Sequence, residues 1–480
     1  MILPPLPANL GPSGARSGPC SPAVNRLLVV ANRLPVNRVK VGAEDVWETS
    51  PGGLVAALAP ILRRQRGAWV GWAGYAGDAP EPFEHDELQL HPVGLSRSDL
   101  DQFYLGFSNG TLWPLYHDAV RYPEYHRRWW SPYVDVNRRF AQRAADVARP
   151  GDTVWVHDYQ LQLVPLLLRD RQPDLRIGFF LHIPFPPVEL FAQIPWRRQI
   201  LEGLLGADIV GFQTPTGAQN FARAARRFAG ATGRGNMLQH RGREIRVDAF
   251  PISIDVERIR ERVDSPEVRA KADIIREQIG RGRKILLGLD RLDYTKGIDH
   301  RLRAFETVLE RFENRAELAT FVQIAVPSRE LVPEYAQMRT RIEQLVGSIN
   351  GTYGEPGYVP VQYLYRSLPF DDLLAYYAAA DVMAVTPLRD GMNMVAKEYV
   401  AACTDDDGVL ILSEFAGAAQ ELSHALIVNP HDVDGVATSL DAALSMPPAE
   451  RRRRMKALRR KVTRRDVHAW AQSFLEALHA

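Results

Sequence analysis

The sequence predicts an α/β protein made of two doubly wound parallel domains of comparable size, facing each other across a cleft. Three observations carry this. From Leu27 onward, short β-branched runs alternate with helical stretches, the pattern of parallel α/β folding. The alternation runs through two series, one on each side of the stretch Phe250–Asp255. The chain has 480 residues, which at roughly 100–200 residues per domain calls for two to four domains.

In the first series Leu27–Ala31, Thr153–His157, Ile177–His182 and Ile209–Phe212 read as strands, each followed by a helical segment. A turn, Ser50-Pro51-Gly52-Gly53, opens a helix from Leu54 to Arg64. The second series reads as strands at Lys284–Asp290, Thr320–Ala325, Val361–Leu364, Val382–Thr386, Val409–Ser413 and Leu426–Asn429. The first 25 residues are rich in Pro, Gly and Ser and lack the cationic start and apolar core of a secretory signal, so they read as a disordered tail. Near the end, Arg451 to Arg465 carries ten basic residues in fifteen. There Met455, Leu458 and Val462 share one helical stripe, the pattern of an amphipathic helix with a solvated basic face; an acidic or nucleic-acid partner is the alternative.

Composition narrows the function. Lys plus Arg number 59 against 57 Asp plus Glu, a net charge of +2, so a broad basic nucleic-acid surface is not expected. Cys20 and Cys403 make neither a disulfide framework nor a Cys/His cluster for zinc. No apolar run approaches the roughly 18 residues of a membrane span. The expectation is a soluble cytoplasmic protein with no metal site.

Ligands of open α/β sheets bind beyond the carboxyl ends of the strands, so the chemistry is sought in those loops. After Lys284–Asp290 comes Arg291-Leu292-Asp293-Tyr294-Thr295-Lys296-Gly297, before a helix starting near Ile298. A guanidinium fork, an ammonium and a helix N-terminus suit a diphosphate; ion pairing of Arg291 with Asp290 or Asp293 is the alternative. After Val382–Thr386 comes Pro387-Leu388-Arg389-Asp390-Gly391-Met392-Asn393-Met394, leading into a helix with Glu398. Here Gly391 permits positive φ and close backbone approach to a ligand, with the amides of Met392 to Met394 presented beyond it. One carboxylate, Asp390 or Glu398, can bind sugar hydroxyls and the other a ribose diol; the alternative is an N-capping Asp390 and a surface Glu398. Gly52-Gly53 is a weak phosphate-loop signal. Asp158 and His182, each at a strand end, either hydrogen-bond a sugar or satisfy one another in the core. Trp69, Trp72, Tyr104, Trp113, Tyr116, Trp129 and Trp130 cluster in the first half, faint support for a carbohydrate site.

Taken together, ANRLPV, SPGGL, VHDYQL, FFLHIPFP, GFQT, RLDYTKG, QIAVPSR, INGTYGEPG, TPLRDGMNMVAKEYVA and SEFAGAAQEL, in that order, resemble the trehalose-6-phosphate synthase family of retaining glycosyltransferases. The resemblance implies the GT-B fold, divided as a tail at 1–25, an acceptor domain at 26–252, a nucleotide-sugar domain at 253–462 and a C-terminal helix at 463–480 returning to the first domain. It implies transfer of glucose from a nucleotide sugar to C1 of glucose 6-phosphate with retention, in trehalose biosynthesis, with no cofactor. Carried over by position, Arg291 and Lys296 hold the donor diphosphate and Glu398 the ribose. Asp390, His182 and Gly391 to Met394 hold the transferred glucose, with Gly53 near the phosphates. Arg33, Tyr104, Trp113 and Arg329 hold the acceptor phosphate; Trp72 and Asp158 hold the acceptor sugar. Asp158, His182, Arg291, Lys296 and Asp390 form the catalytic set. The base is placed near Ile324–Pro327 and Tyr363–Pro369, leaving UDP-glucose and GDP-glucose both open, as is a homo-oligomer. The alternatives are a retaining transferase with another phosphorylated acceptor, such as glycerol 3-phosphate, and a silent sugar-phosphate sensor.

Overall fold

The computed structural model describes residues 26–480 except 42–43, 51–52, 313, 315–317 and 330–331. The expected tail at 1–25 and Pro51-Gly52 of the glycine turn lie outside the described residues.

In chain order the strands are β1 (Leu27–Arg33), β2 (Val36–Val41), β3 (Glu44–Thr49), β4 (Ala68–Trp72), β5 (Phe83–His85), β6 (Leu88–Val93), β7 (Thr153–His157), β8 (Arg176–Phe180), β9 (Ile209–Phe212), β10 (Met237–His240) and β11 (Arg243–Ala249). They continue with β12 (Lys284–Arg291), β13 (Ala319–Val326), β14 (Val361–Tyr365), β15 (Val382–Val385), β16 (Val409–Ser413) and β17 (Leu426–Val428). The first sheet runs β10-β11-β9-β8-β7-β1-β4-β6-β5, with only its edge strands β10 and β5 paired antiparallel. The second runs β14-β13-β12-β15-β16-β17, all parallel. Its order is the 3-2-1-4-5-6 of a Rossmann fold, in which ligands bind where the order reverses. Here that point lies between β12 and β15. In the first sheet the corresponding reversal lies between β1 and β7.

The central strands are buried along nearly their whole length: Leu27 to Ala31, Val154 to Val156 and Ile285 to Leu287 are almost fully inaccessible. Parallel strands covered on both faces need such continuous apolar runs. The segment Phe250–Asp255 passes from β11 into the helix Val256–Val263, which Asp255 caps through Arg258 N. The basic helix Pro448–Arg464 buries Met455, Leu458 and Val462, the stripe expected for it. The final helix, Val467–His479, lies back on the first sheet. Phe474 stacks on Trp155 with ring centroids 4.2 Å apart, and Trp470 Nε1 donates to Phe250 O at 3.1 Å. Among the described residues no helix is long and apolar enough to cross a membrane.

Candidate active site

The site forms where the two sheets present their strand ends to each other. At the reversal in the second sheet, Arg301 is fully buried and pairs with Asp290 at the end of β12. It also donates to Ala384 O of β15 at 2.8 Å, so one guanidinium ties the two strands together. The loop after β12 makes a short 3-10 turn, Tyr294–Lys296, and then Gly297 at φ +61° leads into the helix Ile298–Arg311. A side chain at Gly297 would place Cβ 2.4 Å from Thr386 O, so glycine also allows the two loops to touch.

The two cations of this loop differ. Lys296 is buried, with Nζ 2.6 Å from Asp390 Oδ2. Arg291 is exposed, and its guanidinium lies 5.7 Å from the centre of the Trp113 ring. The alternative in which Asp290 or Asp293 neutralises Arg291 does not occur. Asp290 is taken by Arg301, and Asp293 by Arg329 at 3.0 Å, because those partners reach the carboxylates from within the core.

One expectation for the loop after β15 is corrected, and one alternative is not met. Gly391 is not at positive φ; that conformation falls to Asn393 at +82°. Glycine is needed at 391 because a Cβ there would lie 2.3 Å from His182 O, across the interface with the first half. Nor is Asp390 the helix cap. Asn393 Oδ1 accepts from Ala396 N at 3.0 Å to start the helix Met394–Ala402. Asn393 Nδ2 donates to Asp390 Oδ2 at 3.1 Å, so Asp390 faces Lys296 and Asn393. Burial pushes the Asp390 pKa up, but the Lys296 charge and hydrogen bonds outweigh it and the net shift is down. Glu398 is half-buried, not a surface residue, accepts from Tyr377 OH at 2.8 Å, and is shifted up by burial. Met392 is buried, and Met394 begins the helix.

From the first half, Asp158 sits just beyond β7 at φ +76°, a costly conformation for a residue other than glycine. Its Oδ1 accepts from His182 N at 3.2 Å, and burial pushes its pKa up to about 6. His182 approaches His157, Nε2 to Nδ1, at 3.1 Å, and burial lowers its pKa to about 3, so it is neutral. The mutual satisfaction read as the alternative for this pair is present, with both residues only partly buried.

Arg33 ends β1 with its guanidinium 4.9 Å from the Trp72 ring centre, and Trp72 lies 5.9 Å from Tyr104. Arg329, on the loop after β13, stands 3.8 Å over Trp113 and donates to Tyr159 OH at 3.2 Å. Trp113 Nε1 is buried without a hydrogen-bond partner, an unmet donor at the site. The aromatic cluster divides. Trp69 and Tyr116 belong to the core, and Trp130 stacks on Trp196 at 5.2 Å. Trp72, Tyr104 and Trp113 reach the arginines. Gly53 begins the helix Gly53–Gln65.

Four side chains at the site carry no sequence signal. His117 is buried beside Trp113, its pKa lowered to about 4 chiefly by burial, with Asp293, Lys296 and Asp390 all acting on its charge. Asp118 pairs with Arg389 at 3.0 Å, and Arg121 pairs with Glu334; both contacts cross the cleft. Tyr335 donates to Asp293 Oδ2 at 3.0 Å. The partners of Asp118, Arg121 and Tyr335 at the cleft lie far away in sequence. Among the described residues no three His, Cys, Asp or Glu side chains converge as a metal site.

Two facing Rossmann-like sheets, with fixed cations at the reversal of the second, define a glycosyltransferase of the GT-B architecture. The chain belongs to glycosyltransferase family 20, whose model matches residues 25–480. It is 56% identical over 463 residues to the trehalose-6-phosphate synthase of Mycolicibacterium smegmatis, covering 94% of this chain and 92% of that one. Among solved structures, a UDP-forming synthase from Burkholderia xenovorans in complex with glucose 6-phosphate matches with a TM-score of 0.87 at 36% identity, over 95% of this chain and 100% of that one. An Escherichia coli protein described as trehalose-6-phosphate, bound with UDP-2-fluoro glucose, matches with a TM-score of 0.86 at 35% identity, over 95% and 99%.

Proposed function

We propose that the protein is an α,α-trehalose-6-phosphate synthase, transferring glucose from UDP-glucose to C1 of glucose 6-phosphate with retention. One observation carries the reading. The Arg291 and Arg329 guanidiniums, the first at the end of β12 and the second on the loop after its neighbour β13, both approach the single Trp113 ring of the first half, at 5.7 and 3.8 Å. Two anion-binding groups sharing one indole suit a diphosphate donor and a phosphorylated acceptor held side by side.

In this reading Arg291 and Lys296 meet the charge that grows on the departing diphosphate, as cations fixed before the reaction begins. Glu398 holds the ribose. The backbone from Gly391 to Met394, with Asp390 and His182, holds the transferred glucose, and Gly53 borders the phosphates. Arg33, Tyr104, Trp113 and Arg329 receive the acceptor phosphate; Trp72 and Asp158 receive its sugar. The acceptor hydroxyl attacks from the face the nucleotide leaves, and its proton passes to the leaving phosphate. No metal or cofactor enters the scheme, since fixed cations meet the charge. A silent sensor is disfavoured because Arg291, Lys296, Asp390 and Glu398 are all present and Arg291 is not neutralised.

The test is nucleotide release from UDP-glucose and from GDP-glucose, each with and without glucose 6-phosphate. Release from UDP-glucose that depends on glucose 6-phosphate supports the reading, and faster release from GDP-glucose corrects the base. Release only with glycerol 3-phosphate, or with no acceptor tried, contradicts it.

A further inference from the structure

Asp293 is fully buried, and its two carboxylate oxygens face two different parts of the site. Oδ1 accepts from Thr295 N at 3.0 Å and from Thr295 Oγ1 at 2.9 Å, shaping the turn that presents Lys296. The Thr295 carbonyl in turn accepts from Leu388 N at 2.7 Å, joining that turn to the Asp390–Met394 loop. Oδ2 accepts from Arg329 Nη1 and from Tyr335 OH, each at 3.0 Å. Arg329 also donates to the Tyr335 hydroxyl, and its other terminal nitrogen reaches Tyr159 OH at 3.2 Å.

Arg329 needs this support. It stands on a loop at φ +48°, and a long side chain there has many rotamers open to it. The planar fork of an arginine recognises phosphate through two parallel hydrogen bonds, which it can offer only when it is held in one orientation. Asp293, Tyr335 and Tyr159 fix three sides of that fork, while the Trp113 ring closes one face at 3.8 Å.

We propose that Asp293 is a positioning residue that holds Arg329 in the orientation that selects a phosphorylated over an unphosphorylated acceptor, while its other oxygen sets the donor-side turn. The proposal rests on the function proposed above for this cleft. A carboxylate acting only as a counter-charge would matter equally for every acceptor. One acting through Arg329 matters for the acceptor that carries a phosphate.

The experiment compares the full-length protein with Asp293→Asn and Tyr335→Phe. Initial rates are taken with one nucleotide sugar and either glucose 6-phosphate or glucose as acceptor. The asparagine carbonyl can still accept from Thr295, so UDP affinity by titration is expected to change less than about threefold, whereas losing a charge-assisted bond to Arg329 lowers the ratio of kcat/KM for glucose 6-phosphate over glucose by about tenfold or more. The loss appears in KM for the sugar phosphate. Tyr335→Phe, which keeps the carboxylate, shows a smaller fall in the same ratio and carries the test if Asp293→Asn does not fold. Parallel loss with both acceptors, or an unchanged ratio in folded variants, overturns the proposal. Binding of glucose 6-phosphate in the presence of UDP separates this inference from the functional reading. If the parent protein turns over neither acceptor, weakened sugar-phosphate binding in the variants still supports the positioning role, and unchanged binding overturns it.

Discussion

The Lys296 ammonium lies 2.6 Å from the Asp390 carboxylate, so one of the two cations at the end of β12 is already neutralised and the other, Arg291, is not. The exposed Arg291 guanidinium therefore carries the larger share of the positive potential at this loop. It lies 5.7 Å from the centre of the Trp113 ring, and its charge also acts on Asp293 and Asp158.

Arg291→Ala accordingly loses transfer without losing the fold. Removing one preorganised charge-stabilising group typically costs about 10²–10³ in kcat, and that is the loss expected here. Steady-state rates measure it, and an unchanged melting temperature shows that the scaffold is intact. Near-parental activity would mean that the diphosphate lies elsewhere.

Gly391→Ala tests the contact between the halves. The added Cβ would fall 2.3 Å from His182 O, an atom of the other half's backbone that cannot move aside cheaply. Overpacking of this kind typically costs about 1–3 kcal/mol, and here it is relieved by parting the cleft. The expected result is a steep fall in kcat/KM with a small shift in melting temperature. Parental kinetics would show that the cleft works in a more open arrangement.

Stability should depend on pH through the buried imidazoles. Burial lowers His117 to about 4 and His182 to about 3, and lowers His157 as well. Unfolding restores each to the ordinary value of about 6.5, so below it the unfolded chain binds more protons and stability is lost as pH falls. Asp158 acts in the opposite sense. Raised to about 6, it keeps its proton in the folded state where the unfolded carboxyl has released it, a gain present at low pH and lost as pH rises through that value. Glu398, also raised by burial, acts in the same sense as Asp158; the three imidazoles, whose ordinary value lies nearest neutrality, weaken the protein from neutral pH toward acid. Denaturant titrations at pH 7.5 and 5 are expected to show a steeper acid loss in Asp158→Asn than in the parent. An equal or shallower loss would contradict the raised carboxyl.

The return of the last helix is the main contact between the C-terminus and the first sheet. Phe474 stacks on Trp155 at an interplanar angle of 4°, and a Cβ on Gly178 or Gly211 would come within 2.7 Å of its ring. Phe474→Ala empties that slot, at an expected cost of about 3–5 kcal/mol. Chemical denaturation followed by tryptophan fluorescence measures it, and a cost under about 1 kcal/mol would mean that the site collapses without loss.

The parallel core was legible because Leu27–Ala31, Ile285–Leu289 and Thr320–Ala325 are short, predominantly apolar runs bounded by polar loops. Strands lacking that pattern escaped: Ala68–Trp72 reads as part of an aromatic cluster, Phe83–His85 is three residues long, and β10 and β11 alternate with exposed polar residues at a sheet edge. The site residues on strand-end loops were legible for the same reason as the core. What escaped depended on approach between distant segments. Gly391 announces freedom of φ in sequence, yet its constraint is the carbonyl of His182. Asp293 reads as a neighbour of Arg291, yet its partners are Arg329 and Tyr335. Asp118 and Arg389 meet only because the cleft brings them together.

A retaining transfer of glucose onto C1 of a phosphorylated glucose leaves a product with a distinctive linkage. Carbon and proton NMR of the product formed from UDP-glucose and glucose 6-phosphate tests it most directly. The predicted result is one phosphorylated, non-reducing disaccharide with both anomeric carbons in the α configuration and joined through a single oxygen. A β configuration at the transferred glucose, or a free reducing end, would contradict it.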